Sequence, residues 1–248
     1  MNRLKSIKLS LLSGFMFGMT GLGISFAALA DNEVYIDQIG SGGSIVIEQD
    51  GSSNLVAGES GSGDKMLISG ADMDIKISAL GGSNSILGNI IGSSTLNMNI
   101  DGSTNALTFN VDKDNAYGAY GGDYQIDIEG SNNEIDWAFG SNDTALNADV
   151  DFGLTGDYND FNIAVDVSDI VLNWDLVTDN STLNYTATGY DGHSATITGD
   201  GDYLDIDITQ SSTLQSDSIS IDFDGSGTSA TPATICIAQS DSGTATGC

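Results

Sequence analysis

The residues able to do chemistry are few and unevenly spread. His193 is the only histidine in the 248-residue chain, beside the glycine-rich turn Gly189-Tyr190-Asp191-Gly192. It reads as an exposed loop residue. A lone loop imidazole supports neither a Ser/His/Asp relay nor a zinc site. Carboxylates are the opposite case, with 35 acids that are mostly aspartate. They recur as pairs at Asp72/Asp74, Asp112/Asp114, Asp149/Asp151, Asp200/Asp202, Asp205/Asp207 and Asp222/Asp224. On a strand, positions i and i+2 share a face, so each pair offers hard oxygen donors suited to weak surface Ca²⁺ binding. No EF-hand loop or calcium-binding nonapeptide array accompanies them, so the expectation is no structured metal site and no cofactor. Two carboxylates could serve a glycosidase, but the only arginine is Arg3 and the only tryptophans are Trp137 and Trp174. With so little to hold a sugar, no catalytic residue is assigned and the chain reads as a non-enzyme.

Cys236 and Cys248 are the only cysteines. In an oxidising compartment such an even pair joins, closing the tail into a short loop that would contribute about 2–3 kcal/mol. The rival reading is a link between subunits. An oxidising compartment is what the N-terminus predicts. Arg3, Lys5 and Lys8 precede a mostly apolar run that closes on Ala28-Leu29-Ala30, the small-x-small pattern of a cleaved secretory signal peptide. Residues 1–30 are therefore read as a leader, and no later run is long and apolar enough to span a bilayer. The expected location is extracellular or at the cell surface, after cleavage near Ala30.

Beyond the leader, Lys65, Lys76 and Lys113 are the only basic residues against all 35 acids. Nucleic-acid binding is excluded, since nothing would replace phosphate counterions. Self-repulsion keeps such a chain dispersed at low salt and relaxes as ions screen it.

The elements that must carry these residues are strands. Alternating runs recur at Ile45-Val46-Ile47, Leu96–Ile100, Leu107–Val111, Ile126-Asp127-Ile128, Ile163–Val167, Leu204–Ile208 and Ile219–Phe223, the signature of half-buried β-structure. Turn clusters punctuate them at Gly40-Ser41, Gly51-Ser52, Gly82-Ser83-Asn84, Gly92-Ser93, Gly102–Asn105, Gly130-Ser131-Asn132 and Gly140-Ser141-Asn142. Several lie about ten or eleven residues apart, a beat that predicts an all-β solenoid of stacked strand-turn-strand repeats. A β-sandwich is the alternative, because it too has a strand every 8–12 residues or so. Residues 31–248 read as one β-repeat domain, with a regular part (31–150), a looser part (151–230) and a disulfide-closed tail (231–248). Acids in runs such as Asp205-Ile206-Asp207 must face outward. Tyr117, Tyr120, Tyr124, Trp137 and Phe139 cluster as core packing or as one apolar contact face.

The stretch Gln38-x-Gly40-x-x-Gly43-x-Ile45-x-x-x-Gln49-x-Gly51-x-x-Asn54 resembles the curlin repeat of bacterial curli fibres, with the best match over residues 38–57. It departs from the family pattern at Gly43, where the family has Asn, and at Ile45, where it has Ala. The serine expected six positions before Gln38 is missing. The match marks a degenerate curlin-like protein. The resemblance implies secretion as an unfolded chain and self-association outside the cell into a β-solenoid fibre serving adhesion and biofilm matrix. A nucleator and an outer-membrane secretion pore are the partners it implies. Gln38, Gly40, Gln49, Gly51 and Asn54 are the repeat and ladder residues. Physically, amides that recur at one coil position stack and hydrogen-bond along the fibre axis; the plain alternative is two exposed strand glutamines. The other class of function is a monomeric surface adhesin that holds calcium or carbohydrate on a flat β face. The two differ at the ends, since a capped solenoid stays monomeric and an uncapped one polymerises.

Overall fold

The computed structural model describes residues 8–10, 32–61, 63–92, 94–111, 122–140, 148–166, 170–189, 192–212, 217–225 and 233–240. The strands in the first half are β1 (Lys8–Ser10), β2 (Glu33–Tyr35), β3 (Asp37–Ile39), β4 (Ser44–Asp50), β5 (Leu55–Ala57), β6 (Met66–Ser69), β7 (Met73–Leu80), β8 (Ser85–Ile91), β9 (Ser94–Asp101) and β10 (Ala106–Val111). Those in the second half are β11 (Asp123–Glu129), β12 (Glu134–Phe139), β13 (Asp149–Thr155), β14 (Asp160–Asp166), β15 (Val171–Val177), β16 (Thr182–Thr188), β17 (Ser194–Asp200), β18 (Asp205–Ser211), β19 (Ser218–Asp224) and β20 (Thr234–Ser240).

The chain winds between two sheets. One has eight strands in the order β4-β7-β9-β11-β13-β15-β17-β19, and the other runs from β2 through β5, β8, β10, β12, β14, β16 and β18 to β20, with β3 and β6 alongside. From β2 onward each strand pairs in parallel with the strand one coil away, as Asp123 does with Asp149 and Asp149 with Val171. β1 instead lies antiparallel on the outer edge of β2. The architecture is a flattened β-solenoid. A sandwich would join its neighbours by antiparallel Greek-key connections, so the parallel, in-register pairing decides against it.

Alternation does the folding. In β9 the pattern Ser-Thr-Leu-Asn-Met-Asn-Ile-Asp buries Ser94, Leu96, Met98 and Ile100 and exposes the residues between them. In β18, Ile206 and Ile208 point inward while Asp205 and Asp207 face solvent. A register slip of one residue would invert every such face. Between the sheets the rows interlock. Phe109 and Trp137 meet edge to face at 5.8 Å, Tyr124 and Phe139 at 5.3 Å, and Trp137 stacks on Phe139 at 4.9 Å. Each such pair contributes about 0.5–1.5 kcal/mol beyond the area it buries. Bulk is balanced by absence: a Cβ on Gly88 would run into the Phe109 ring one coil away. Tyr124, Trp137 and Phe139 are thus core residues; Tyr117 and Tyr120 lie outside the described residues.

The two edges of the solenoid differ. Passing from the eight-stranded sheet to the other, the chain turns through the same four-residue corner at 51–54, 81–84, 102–105, 130–133, 156–159, 178–181 and 201–204. The third corner residue is left-handed each time: Ser53, Ser83, Thr104, Asn132, Tyr158, Asn180 and Tyr203 all have φ between 53° and 65°. The first is usually glycine, as at Gly51 and Gly81, where a Cβ on Gly81 would strike the Gly51 carbonyl. On the return edge the connections vary in length, from Gly92-Ser93 between β8 and β9 to 112–122 between β10 and β11. Most of the drift in repeat length is taken up there; the rest lies in the 58–65 segment between β5 and β6 and in the longer crossing at 225–233 between β19 and β20.

Candidate functional site

The repeated corner ends in asparagine, and these side chains build a ladder up one edge of the molecule. Asn54, Asn84, Asn105, Asn133 and Asn159 are all buried, none above 4% exposed. Each Nδ2 donates to the glycine carbonyl three residues back, as Asn54 does to Gly51 at 2.8 Å and Asn159 to Gly156 at 2.7 Å. From Asn84 onward each Oδ1 accepts the backbone N–H of the asparagine one coil earlier. The N–H of Asn84 donates to Asn105 at 2.9 Å, that of Asn105 to Asn133 at 2.9 Å, and that of Asn133 to Asn159 at 2.9 Å. Asn32 extends the ladder at the start through a 2.9 Å bond to Asn54, and Ser181 ends it by accepting from the N–H of Asn159 at 2.9 Å. Leu204, buried and next in register, carries no amide. The rungs span 30, 21, 28, 26 and 22 residues, so no fixed period in the sequence announces them.

Among the residues singled out from sequence, Asn54 belongs to this ladder, and Gly40 and Gly51 stand at corners with φ of 143° and 135°. The glutamines do not share one coil position. Gln38 lies in β3 opposite Ile68, and Gln49 lies in the other sheet opposite Ala79. Eleven residues is half a coil, which carries the chain from one sheet to the other. Gln49 instead donates to the carbonyls of Asn32 at 3.0 Å and Leu55 at 3.2 Å. A glutamine pair does stack at the far end, where Gln239 donates to Gln210 at 2.7 Å. Gln210 is wholly buried beside Tyr185. Burial holds the Tyr185 hydroxyl above its ordinary range, with Gln210 pulling the other way.

His193 is the clearest correction. It is not an exposed loop residue: it is 1% exposed, and its Nδ1 lies 2.9 Å from a carboxylate oxygen of Asp217, which also accepts the His193 backbone N–H at 3.0 Å. The two residues stack in one inward row, with Ile170 on the other side of His193. A buried carboxylate is tolerated only with partners of this kind. Among the described residues no group of three acidic, histidine or cysteine side chains is arranged to hold a metal ion. Cys236 is disulfide-bonded; Cys248, the chain's other cysteine, lies outside the described residues, as do Asp112 and Asp114.

Carboxylates line the outer face of the eight-stranded sheet. Asp123 sits directly against Asp149, Asp101 against Glu129, and Asp200 against Asp224. The Asp149 carboxyl is held above the usual carboxylate range, by burial first and by Asp151 and Asp123 next. Gly153 leaves a shallow open depression of about 260 Å³ in this face, lined by Gln125, Asp127, Asp151, Asn173, Thr196 and Thr198 among others.

The two ends of the stack are unlike. Interior coils bury their inward rows almost completely, as at Ile206 and Ile208. In the last coil Ile235 is 48% and Ile237 43% exposed, and Ile219, Ile221 and Phe223 are only partly covered. Among the described residues, β19 and β20 are the last strands of their sheets. At the first coil Val34 and Ile36 are both 9% exposed. No protein-family model, curated protein or solved structure matches this chain.

Proposed function

We propose that the chain is a secreted structural protein, a curlin-like subunit or accessory of an extracellular bacterial fibre that grows by end-to-end stacking of solenoids. The observation carrying this reading is the last coil. Its inward row of Ile219, Ile221, Phe223, Ile235 and Ile237 is partly or largely uncovered, and among the described residues β19 is the last strand of its sheet, an edge of the kind that templates another strand. A monomeric solenoid places a polar cap at that point. The Asn32–Ser181 ladder shows a chain already built to satisfy buried amides along its axis. With all 35 acids against few bases, association is expected to follow ionic strength.

The test is to dilute residues 31–248 from denaturant at low and high salt, with and without Ca²⁺, and to follow thioflavin fluorescence, negative-stain images and fibre diffraction. Filaments with a meridional spacing of about 4.7 Å support the reading, and a stable monomer under every condition removes it. The second reading, a monomeric adhesin binding carbohydrate or calcium, is favoured by the depression over Gly153, whose Asp, Asn, Gln and Thr side chains suit a polyhydroxyl ligand. Glycan-array binding that is lost on Gly153→Leu, by a chain that stays monomeric, would establish it.

A further inference from the structure

The last coil ends in a step. Among the described residues the sheet from β2 to β20 has nine strand levels and the other sheet eight, so β20 projects one level beyond β19. A copy stacked head to tail on β20 would leave the place beyond β19 empty. The chain's own tail does not supply that strand. Eight residues follow Ser240, fewer than the shortest return connection, 92–93, and a seven-residue strand together. Cys236 is in register with Asp207 on the outward face, and its disulfide, for which Cys248 is the only partner in the chain, ties the tail to that flank.

A second copy turned end over end fits the step. A two-fold axis along the strand direction exchanges the two sheets and keeps their inward faces inward, so it lays the second copy's β20 beside β19 and its β19 beside β20. The two sheets run in opposite directions, and both new pairs are therefore antiparallel. The backbone agrees. In a ladder, alternate residues turn their N–H and C=O toward the same neighbour. Ser218 donates to His193 and Asp224 accepts from Gly201, while Thr234 donates to Leu204 and Ser240 accepts from Ser212. The groups left on the open edges thus belong to Ile219, Ile221 and Phe223 in β19, and to Ile235, Ile237 and Gln239 in β20. These are also the inward residues, in register with Ala195, Ile197 and Gly199 and with Ile206, Ile208 and Gln210. With the strands aligned over their full length, Phe223 faces the second copy's Ile235, Ile221 its Ile237 and Ile219 its Gln239, each pair exchanging two hydrogen bonds.

We infer that the C-terminal end is a self-docking surface that joins two copies of this chain in a two-fold dimer through β19 and β20. It rests on the reading above only in taking the uncovered last coil as a docking end, and the dimer forms whether or not filaments follow. Charge favours this partner. Within the chain, acids stand directly against acids, as Asp200 does against Asp224. At the junction Asp222 faces Cys236 and Asp224 faces Thr234, so the joined strands avoid the like-charge opposition that destabilises cross-strand pairs. Size favours it too. Two seven-residue strands in sheets about 10 Å apart give an end of roughly 25 Å by 20 Å. Two such ends bury on the order of 1,000 Å² in total, enough for a specific interface. The symmetry makes every contact occur twice.

Ser220 falls opposite the second copy's Ala238 on the outward face, a non-hydrogen-bonded place where Cα atoms lie about 4.5 Å apart, within disulfide reach. The experiment mixes residues 31–248 carrying Ser220→Cys with the same residues carrying Ala238→Cys, under mild oxidation and at roughly 0.5 M salt to screen the net charge. The mixture should give a cross-linked dimer on a non-reducing gel and neither variant alone should, because the two Ser220 sites of a dimer lie on opposite sheets. Sedimentation velocity of the parent should show the dimer. Ile237 is already 43% exposed in the single chain, so Ile237→Lys leaves the coils folded by circular dichroism. It buries an unpaired charge in both strand pairs and should weaken the dimer about a hundredfold or more. Dimers that survive Ile237→Lys, or dimers or filaments without a cross-link specific to the mixture, overturn this pairing, and filaments would still leave the fibre reading standing. Cross-linked dimers that never lengthen keep the pairing and remove the fibre. A parent that is monomeric at every salt concentration removes both.

Discussion

At the scale of single residues, stability rests on polar groups whose partners lie a whole coil away. Asn105 accepts the N–H of Asn84 and binds the Gly102 carbonyl. Asn105→Ala orphans both and should cost about 1–3 kcal/mol in urea unfolding, whereas Asn97→Ala, which removes an exposed rung to Gln125, should cost well under ~1 kcal/mol. Asp217→Ala leaves the His193 N–H without its acceptor in a dry site. It should destabilise by about 3 kcal/mol or more, with Asp217→Asn well below that because an acceptor oxygen remains. Thr104 points the other way. It is β-branched, exposed and held at φ 65°, so Thr104→Asn should raise stability by about 1 kcal/mol, since asparagine tolerates this region.

At the scale of elements, the stacked carboxylates of the eight-stranded sheet make a pH prediction. The folded chain holds the Asp149 proton more tightly than the unfolded chain does. That contribution favours folding at pH below the ordinary carboxylate value and is lost as pH climbs through the raised one. Thermal unfolding from pH 3.5 to 7 should therefore show a shallower decline for Asp149→Asn than for the parent, with the difference shrinking in high salt. The strands themselves were legible in the sequence. Ile-x-Ile and Leu-x-Met-x-Ile alternation is local, and the glycine-serine clusters mark where it must stop. The Gly51–Asn54 corner could be read as a turn with a ladder residue, yet the same spacing misplaced Gln38 and Gln49. A beat of eleven does not reveal that successive strands alternate between sheets, and an irregular return edge hides the true coil length. His193 was misread for the same reason. Its partner stands 24 residues away, joined only once the coil closes, so a glycine-rich neighbourhood looked like surface.

At the scale of the whole molecule, parallel stacking makes the object polar, with chemically distinct ends. In the full chain the β2 edge is taken by Lys8–Ser10, an edge that end-to-end stacking, as proposed above, would need open. A chain retaining residues 1–30 should therefore fail to extend filaments seeded from residues 31–248, whereas the shortened chain extends them; sedimentation of labelled protein onto such seeds measures the difference. One asymmetry described above has a practical bearing. The four-residue corners lock each coil's frame, so one extra residue there would turn a strand's core face outward. The return edge already takes connections as different as those at 92–93 and 112–122 without disturbing the pairing on either side. As far as β18, one margin of the solenoid keeps count, and the other is free to carry luggage. If the chain forms the fibre proposed above, a foreign peptide spliced into 112–122 would recur once per molecule along it, making an ordered array of whatever is attached.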